Sequence, residues 1–342
     1  EDVFAVIEDV LPPVFAKYGI YKEASKAPFA RISYRDALEK YGSDKPDLRI
    51  DLVLQDATEV LADCGFGPFE GQCVEAIVVD QFTATRKVID KICADVEVQS
   101  GQKAYWFKLD ENGELVGGIA KFLQERKEAV IEKLGLKKGD FVGLTAGKKG
   151  DALKGAGVLR KYLGMNSEAH MKQNCYEFCW IVDFPMYEIG EESGELEFCH
   201  NPFSMPQGGM DALCNADPLS INAYQYDLVC NGVELSSGAV RNHDPEIMVK
   251  AFEMAGYSEE TVKEKFGALY NAFHYGAPPH AGMAPGVDRM IMLLKDEENI
   301  REIIAFPMNS NAQDMLLGAP NYVTELQLRE THIKLRRPVE KK

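Results

Sequence analysis

The stretch from Gly276 to Leu294, GAPPHAGMAPGVDRMIMLL, limits most tightly what this chain can fold into. Small residues alternate with larger ones and then give way to an apolar helical run, so the segment reads as a strand entering a helix. In an extended run Gly282, Ala284 and Gly286 fall at every second position and share one face almost bare of side chains. A flat ligand can lie against such a face because little holds it off the backbone. Met283, Pro285 and Val287 then point the other way, into the core. Arg289 falls where strand turns to helix, and its planar fork of donors suits a phosphate oxygen. The competing reading is a glycine-loosened strand entering a buried helix, with Arg289 in a structural ion pair. Spacing alone does not separate the two.

A length of 342 residues implies two or three domains, and 46% hydrophobic content fills ordinary cores. The apolar runs fall far short of the roughly 18 residues that span a bilayer, and no basic-plus-apolar leader opens the chain. No membrane partner and a cytoplasmic location are therefore expected. Eight cysteines form neither a CxxC pair nor a His–Cys cluster at zinc spacing, so all are expected as reduced thiols. A formal charge of −16 argues against holding nucleic acid by a general basic surface and leaves room for a local patch. The chain opens at Glu1 directly into helical spacing at Val3, Phe4, Val6, Ile7, Val10 and Leu11, as a piece of a longer protein would.

Residues 1 to 19 read as a helix kinked or restarted at Pro12 and Pro13. A short strand and a second helix ending near Gly42 follow, and then the polar turn YGSDKPDLR, Tyr41 to Arg49. From 52 to 173 strands and helices alternate in a βαββαβα order, with a hairpin turning at Asn112-Gly113, which predicts a small α/β domain with its own core. Lys148, Lys149, Lys154, Arg160 and Lys161 make its end basic, read as a solvated helix face in preference to a nucleic-acid contact. Beyond Tyr176 come a buried strand interrupted by Asp183, a hairpin returning to HNPFSMP, and the alternating element Ile221 to Arg241. Two helices then precede the glycine-rich stretch, and a mixed-charge helical tail closes the chain.

Strands bearing His200, Glu234 and Arg241, followed by the glycine-paved strand with Arg289, make a platform for an anionic small molecule and a nucleotide. A carboxylate is best held by a bidentate guanidinium, and magnesium on phosphates takes carboxylate oxygens. Taken singly, Glu234 or Arg241 also fits one half of a salt bridge, and His200 a hydrogen-bonded strand histidine.

YGSDKPDLR, WIVDFPMYE, HNPFSMP, NAYQYDLVCNGVELSSGAVR, KFGALYNAFHYGAPPHAG and GVDRMIMLL occur in order along nearly the whole chain. In this the chain resembles the bacterial-type aspartyl-tRNA synthetases of class II. The resemblance implies an α+β fold: a class II synthetase-type antiparallel sheet with flanking helices, incomplete, and interrupted by a small α/β insertion domain of the kind also found in an amidotransferase subunit. It divides the chain into 1–51, the first part of the catalytic domain; 52–173, the insertion domain; and 174–342, the second part with motif 3. It implies aspartate bound by His200 and Arg241, ATP as substrate bound by Glu234, Gly286, Val287, Asp288 and Arg289, and Mg2+ on Glu234. No side chain is implied as a covalent nucleophile. Aspartate would be activated to aspartyl-adenylate and passed to tRNA(Asp), in a homodimer when full length.

Asn201 stands where many relatives of that kind have a second histidine, and Ser236 and Ser237 where they have glycines. The resemblance also implies an anticodon-binding barrel and motifs 1 and 2 ahead of the matched region, so the expectation is a C-terminal piece that is inactive alone. The alternative is a non-catalytic, synthetase-derived module binding RNA or protein. A ligase for asparagine or lysine fits the insertion domain and DFPMYE less well.

Overall fold

The computed structural model describes residues 1–190 and 192–336. In chain order α1 (Asp2–Tyr18), β1 (Ala30–Ser33) and α2 (Tyr34–Tyr41) lead to β2 (Leu54–Asp56), β3 (Cys73–Val79), α3 (Arg86–Ser100), β4 (Ala104–Leu109), β5 (Leu115–Val116), α4 (Lys127–Leu134), β6 (Phe141–Gly147) and α5 (Lys149–Met165). Then come β7 (Phe178–Val182), β8 (Gln225–Cys230), β9 (Val233–Val240), α6 (Pro245–Met254), α7 (Glu259–His274), β10 (Ala281–Pro285) and α8 (Val287–Leu294). These strands build two five-stranded sheets.

The first sheet, ordered β10-β9-β8-β7-β1, is antiparallel except where β1 lies parallel to β7. Period-two alternation sends Phe178, Trp180, Tyr226 and Leu228 to one face, where α1 lays Phe4, Leu11 and Phe15 across them. Phe4 stacks on Trp180 at 4.2 Å. The buried carboxylate of Glu8 accepts from Trp180 Nε1 at 2.9 Å and from the Phe29 amide at 3.0 Å, so a charge on the apolar face is matched by two donors. Of the kink or restart expected at Pro12 and Pro13, the restart does not occur: α1 runs as one helix through both. On the other face Cys179, Ile181 and Val229 pack against Ala37 of α2 and Phe184. Further along that face Ser237 and Ala284 are exposed.

The second sheet, ordered β2-β3-β6-β4-β5, corrects the expectation of an α/β unit, because every neighbouring pair in it is antiparallel. The elements alternate as expected, but α3 carries the chain across one strand position. β3 and β4 therefore run parallel but apart, and β6 fills the gap antiparallel to both. Val74, Ala76, Val142 and Leu144 face one core with Val130 and Leu134 of α4. Ile77, Val79 and Phe141 face the other, beneath α3 and α5. The hairpin turns at Asn112-Gly113 as expected, with Asp110 accepting from the amides of Asn112 and Glu114. The helix expected from Lys121 is regular only from Lys127.

The segment Tyr41–Arg49 is the joint between the sheets. Gly42 caps α2 at φ 66°, and a Cβ placed on Gly157 of α5 would stand 2.2 Å from its carbonyl oxygen. Arg160 of α5 was expected on a solvated face and instead is 2% exposed. Its Nε donates to Leu52 O at 2.6 Å and its Nη2 to Ile50 O at 2.5 Å and Asp47 O at 3.1 Å. Burial pulls its pKa down to about 10, against the pull of Asp47 and Tyr41. Asp47 in turn grips Arg49, Nη2 to Oδ2 at 2.7 Å. A second clasp joins the strands that enter and leave the second sheet: Ile50 pairs with Met171, and His170 bonds Asp51 through Nδ1 at 2.7 Å and Asp80 through Nε2 at 2.5 Å.

Candidate active site

The alternation from Ile221 to Arg241 reads as one element, but the structure splits it into the hairpin β8–β9. Asn231 and Gly232 turn it, both at positive φ, 51° and 80°, as a tight two-residue turn requires. The pairing then slips: Leu228 faces Ser236, whereas Val229 faces Glu234, so Leu235 is an extra, bulged residue. The consequence is chemical. In a regular strand Glu234 and Ser237 would point to opposite faces; the bulge turns both to the face carrying Asp227, with Ala239 and Arg241 following in period two.

β10 completes this floor. Ser237 pairs with Ala284 and Ala239 with Gly282, so Gly282 and Ala284 lie on the same face, while Met283 enters the opposite core as expected. Pro285 and Val287 do not: both are exposed, since the core beyond Met283 is filled from α8 by Met290, Leu293 and Leu294. A Cβ on Gly282 would meet nothing within 4 Å, and one on Gly286 would make only ordinary contact with Leu235 O at 3.4 Å. No neighbour in the fold therefore demands these glycines, and the bare floor faces open space.

Arg289 Nη1 donates to Glu234 O at 2.8 Å and Oε1 at 3.3 Å, so the ion pair considered from sequence does form. It occupies one corner of the guanidinium, and among the described residues Nε and Nη2 bond no other group. Glu234, Ser237, Ala284, Gly286, Val287 and Arg289 line a cavity of ≈ 360 Å³, and Asp288 is exposed on the first turn of α8.

Neither His200 nor Arg241 lines that cavity; both lie toward the far end of β9. The chain after His200 comes alongside the end of β9, where Ser204 pairs with Arg241 and Met205 N donates to Val240 O at 2.8 Å. Arg241 fixes its backbone on His280 O at 2.9 Å, and among the described residues its side chain pairs with no carboxylate. His200 is exposed, held at its edges by the rings of Tyr34 and Phe184 at 5.8 and 5.0 Å. Asn201 turns inward on its own loop, its Oδ1 accepting from the Phe203 amide at 3.0 Å.

Asp227 was not singled out from sequence. It is 7% exposed, lies opposite Ser237, and its Oδ1 has no partner. Burial pushes its pKa up to about 6, opposed by the Ser237 hydroxyl and reinforced by Glu234. The signal was present: a carboxylate in the middle of the apolar strand Tyr226–Cys230 needs a reason to be there. All eight cysteines are unpaired, as expected. Among the described residues no helix is long and apolar enough to cross a membrane.

The family model for class II tRNA synthetases (D, K and N) matches residues 1–310. The chain belongs to this family. It is 51% identical over 341 residues to the aspartate–tRNA ligase of Streptomyces coelicolor, covering 99% of this chain and 58% of that protein. It is also 51% identical over 362 residues to the aspartate–tRNA(Asp/Asn) ligase of Paramagnetospirillum magneticum, covering 100% of this chain and 40% of that protein. An aspartyl tRNA synthetase structure from Entamoeba histolytica is 29% identical and covers 44% of this chain and 26% of its own, at a TM-score of 0.31. The chain thus spans little more than half the length of its Streptomyces relative. In chemical terms this member of the class II family presents, at one end of a sheet face, a guanidinium that pairs with no carboxylate among the described residues. At the other end lies a carboxylate–guanidinium pair beside a bare floor.

Proposed function

We propose that the protein to which this chain belongs is an aspartate–tRNA ligase, working in the cytoplasm as a homodimer on aspartate, ATP and tRNA(Asp). The observation that carries the reading is Arg241: among the described residues its guanidinium pairs with no carboxylate, and it follows in period two on the sheet face of Glu234, in a chain half identical to aspartate–tRNA ligases. Residues 52–173 form the insertion domain in this reading.

Arg241 clamps a carboxylate of aspartate, with His200 bordering that pocket. The floor of Gly282, Ala284 and Gly286 takes the nucleotide, and Val287 and Asp288 border it. The unspent donors of Arg289 take the terminal phosphate. The donor set fits Mg2+: Glu234 offers a carboxylate at the cavity, and Asp227 holds an orphaned oxygen on the same face. When bound there, the ion neutralises phosphate charge. The aspartate carboxylate attacks the α-phosphorus, an O–P bond forms, the bond to the pyrophosphate oxygen breaks, and aspartyl-adenylate results. A terminal ribose hydroxyl then attacks the acyl carbon and AMP leaves. The protein's share is orientation and charge stabilisation, with no covalent enzyme intermediate.

Aspartate-dependent ATP–pyrophosphate exchange by the whole protein tests this. Arg241→Ala should lower kcat/KM for aspartate by about 10²-fold or more, the equivalent of one lost charged clamp. Unchanged aspartate kinetics in that variant would reject the role of Arg241, and exchange driven by lysine or asparagine in place of aspartate would reject the substrate. The 342-residue chain alone is expected to give no exchange.

A further inference from the structure

A second cavity, of ≈ 540 Å³, opens at the joint between the two sheets, and neither Glu234 nor Arg289 lines it. Its size is that of a small-molecule pocket. Gly42 and Gly157 pack backbone to backbone in its wall, and Leu38, Leu153 and Val233 supply aliphatic faces. An aliphatic-faced cleft of this size suits the apolar face of a ring.

The charge around it is unusual for this chain. With a formal net charge of −16, the lining nonetheless carries Lys45, Lys154, Arg160 and Lys161 against only Asp44 and Asp47. Both carboxylates are already engaged, Asp44 by Lys45 at 3.2 Å and Asp47 by Arg49 at 2.7 Å. Lys154 and Lys161 are exposed, and among the described residues neither pairs with a carboxylate. Arg160 sits deep, its Nε and Nη2 spent on backbone carbonyls, while Nη1 donates to no group among the described residues. One recessed guanidinium and two unspent lysines exceed what a single carboxylate needs and match a doubly charged phosphate.

We propose that this cleft binds a nucleoside monophosphate unit, its phosphate against Arg160, Lys154 and Lys161 and its ring against Leu38, Leu153 and Val233. The unit comes either as a free nucleotide or as one nucleotide of a single-stranded RNA. The proposal does not depend on the ligase reading.

The test is calorimetric titration of the chain, in which occupancy of the nucleotide floor is told apart by its indifference to Lys154 and Lys161. The probes are AMP, adenosine, inorganic phosphate and a single-stranded trinucleotide. AMP is expected to bind at least tenfold more tightly than adenosine or phosphate. The double substitution Lys154→Glu/Lys161→Glu should weaken AMP at least tenfold without lowering Tm. The control pair Lys137→Glu/Lys138→Glu, equal in charge but distant from the cleft, should leave AMP unchanged. A trinucleotide that binds more tightly than AMP, with the same lysine dependence, assigns the source to RNA; equal affinity assigns it to the free nucleotide. The proposal is overturned if neither probe binds at up to about 10 mM, or if binding is indifferent to Lys154 and Lys161, or equally sensitive to the control pair.

Discussion

Arg160→Met should uncouple the two sheets. The guanidinium holds three carbonyls at 2.5, 2.6 and 3.1 Å, all in the chain entering the second sheet, and its face lies 4.8 Å from the Tyr41 ring. Methionine fills much of the same volume and donates nothing. Each buried carbonyl left without a donor costs about 1–2 kcal/mol. Against this, the substitution removes a buried charge, which is itself costly to desolvate. The net expectation is a loss of about 3–4 kcal/mol, in the range seen when a buried hydrogen-bond network is broken. The chain provides its own reporters, because its two tryptophans lie one in each sheet, Trp106 in β4 and Trp180 in β7. Urea unfolding of Trp106→Phe and Trp180→Phe backgrounds should give coincident transitions with Arg160 present and separated ones with methionine, the second sheet melting at its own midpoint. Arg160→Lys should recover less than half of the loss, since one ammonium cannot span the three carbonyls. A loss below about 1 kcal/mol with transitions still coincident would refute the claim that Arg160 is the fastening of the joint.

Three further outcomes follow from the same geometry. Burial opposes the His170 imidazolium, but hydrogen bonds to Asp51 and Asp80 outweigh it and raise its pKa above 6.5, so its stabilisation is complete below the unfolded value and is lost as pH rises through the folded one. The stability gap between the parent and His170→Asn, measured by denaturation, should therefore be largest in mild acid and shrink toward alkaline pH; a gap that grows with pH contradicts this. Glu8→Ala strands the Trp180 indole N–H and the Phe29 amide, and should cost about 2–4 kcal/mol with a shift in Trp180 fluorescence. Gly157→Ala places a Cβ 2.2 Å from Gly42 O and should cost about 1–3 kcal/mol by forcing α5 off the joint, visible as lower Tm and faster amide exchange at Gly42.

What could be read from the residues was whatever depends on near neighbours. The helix closed by Gly42, the hairpin at Asn112-Gly113 and the alternation from Gly282 to Met283 are local, and the structure has them. Arg160 was misplaced because its surroundings are not local: its partners lie more than a hundred residues earlier, and a basic helix gives no hint that one guanidinium is to be buried. The hairpin at Asn231-Gly232 is a different kind of miss, since the turn signal was there and the alternation on either side hid it. The bulge at Leu235 has no signature in sequence, yet the site depends on it. A strict period-two count puts Glu234 on the face of Leu228 and away from Asp227, leaving Arg289 to meet a carboxylate on the wrong side of the sheet. One extra residue reverses that parity, sends Leu235 into the core beneath α1, and gathers Glu234, Asp227 and Ser237 on one face. The chemistry of this face is therefore decided by strand register, a property that residue identities constrain but that only the paired strands determine.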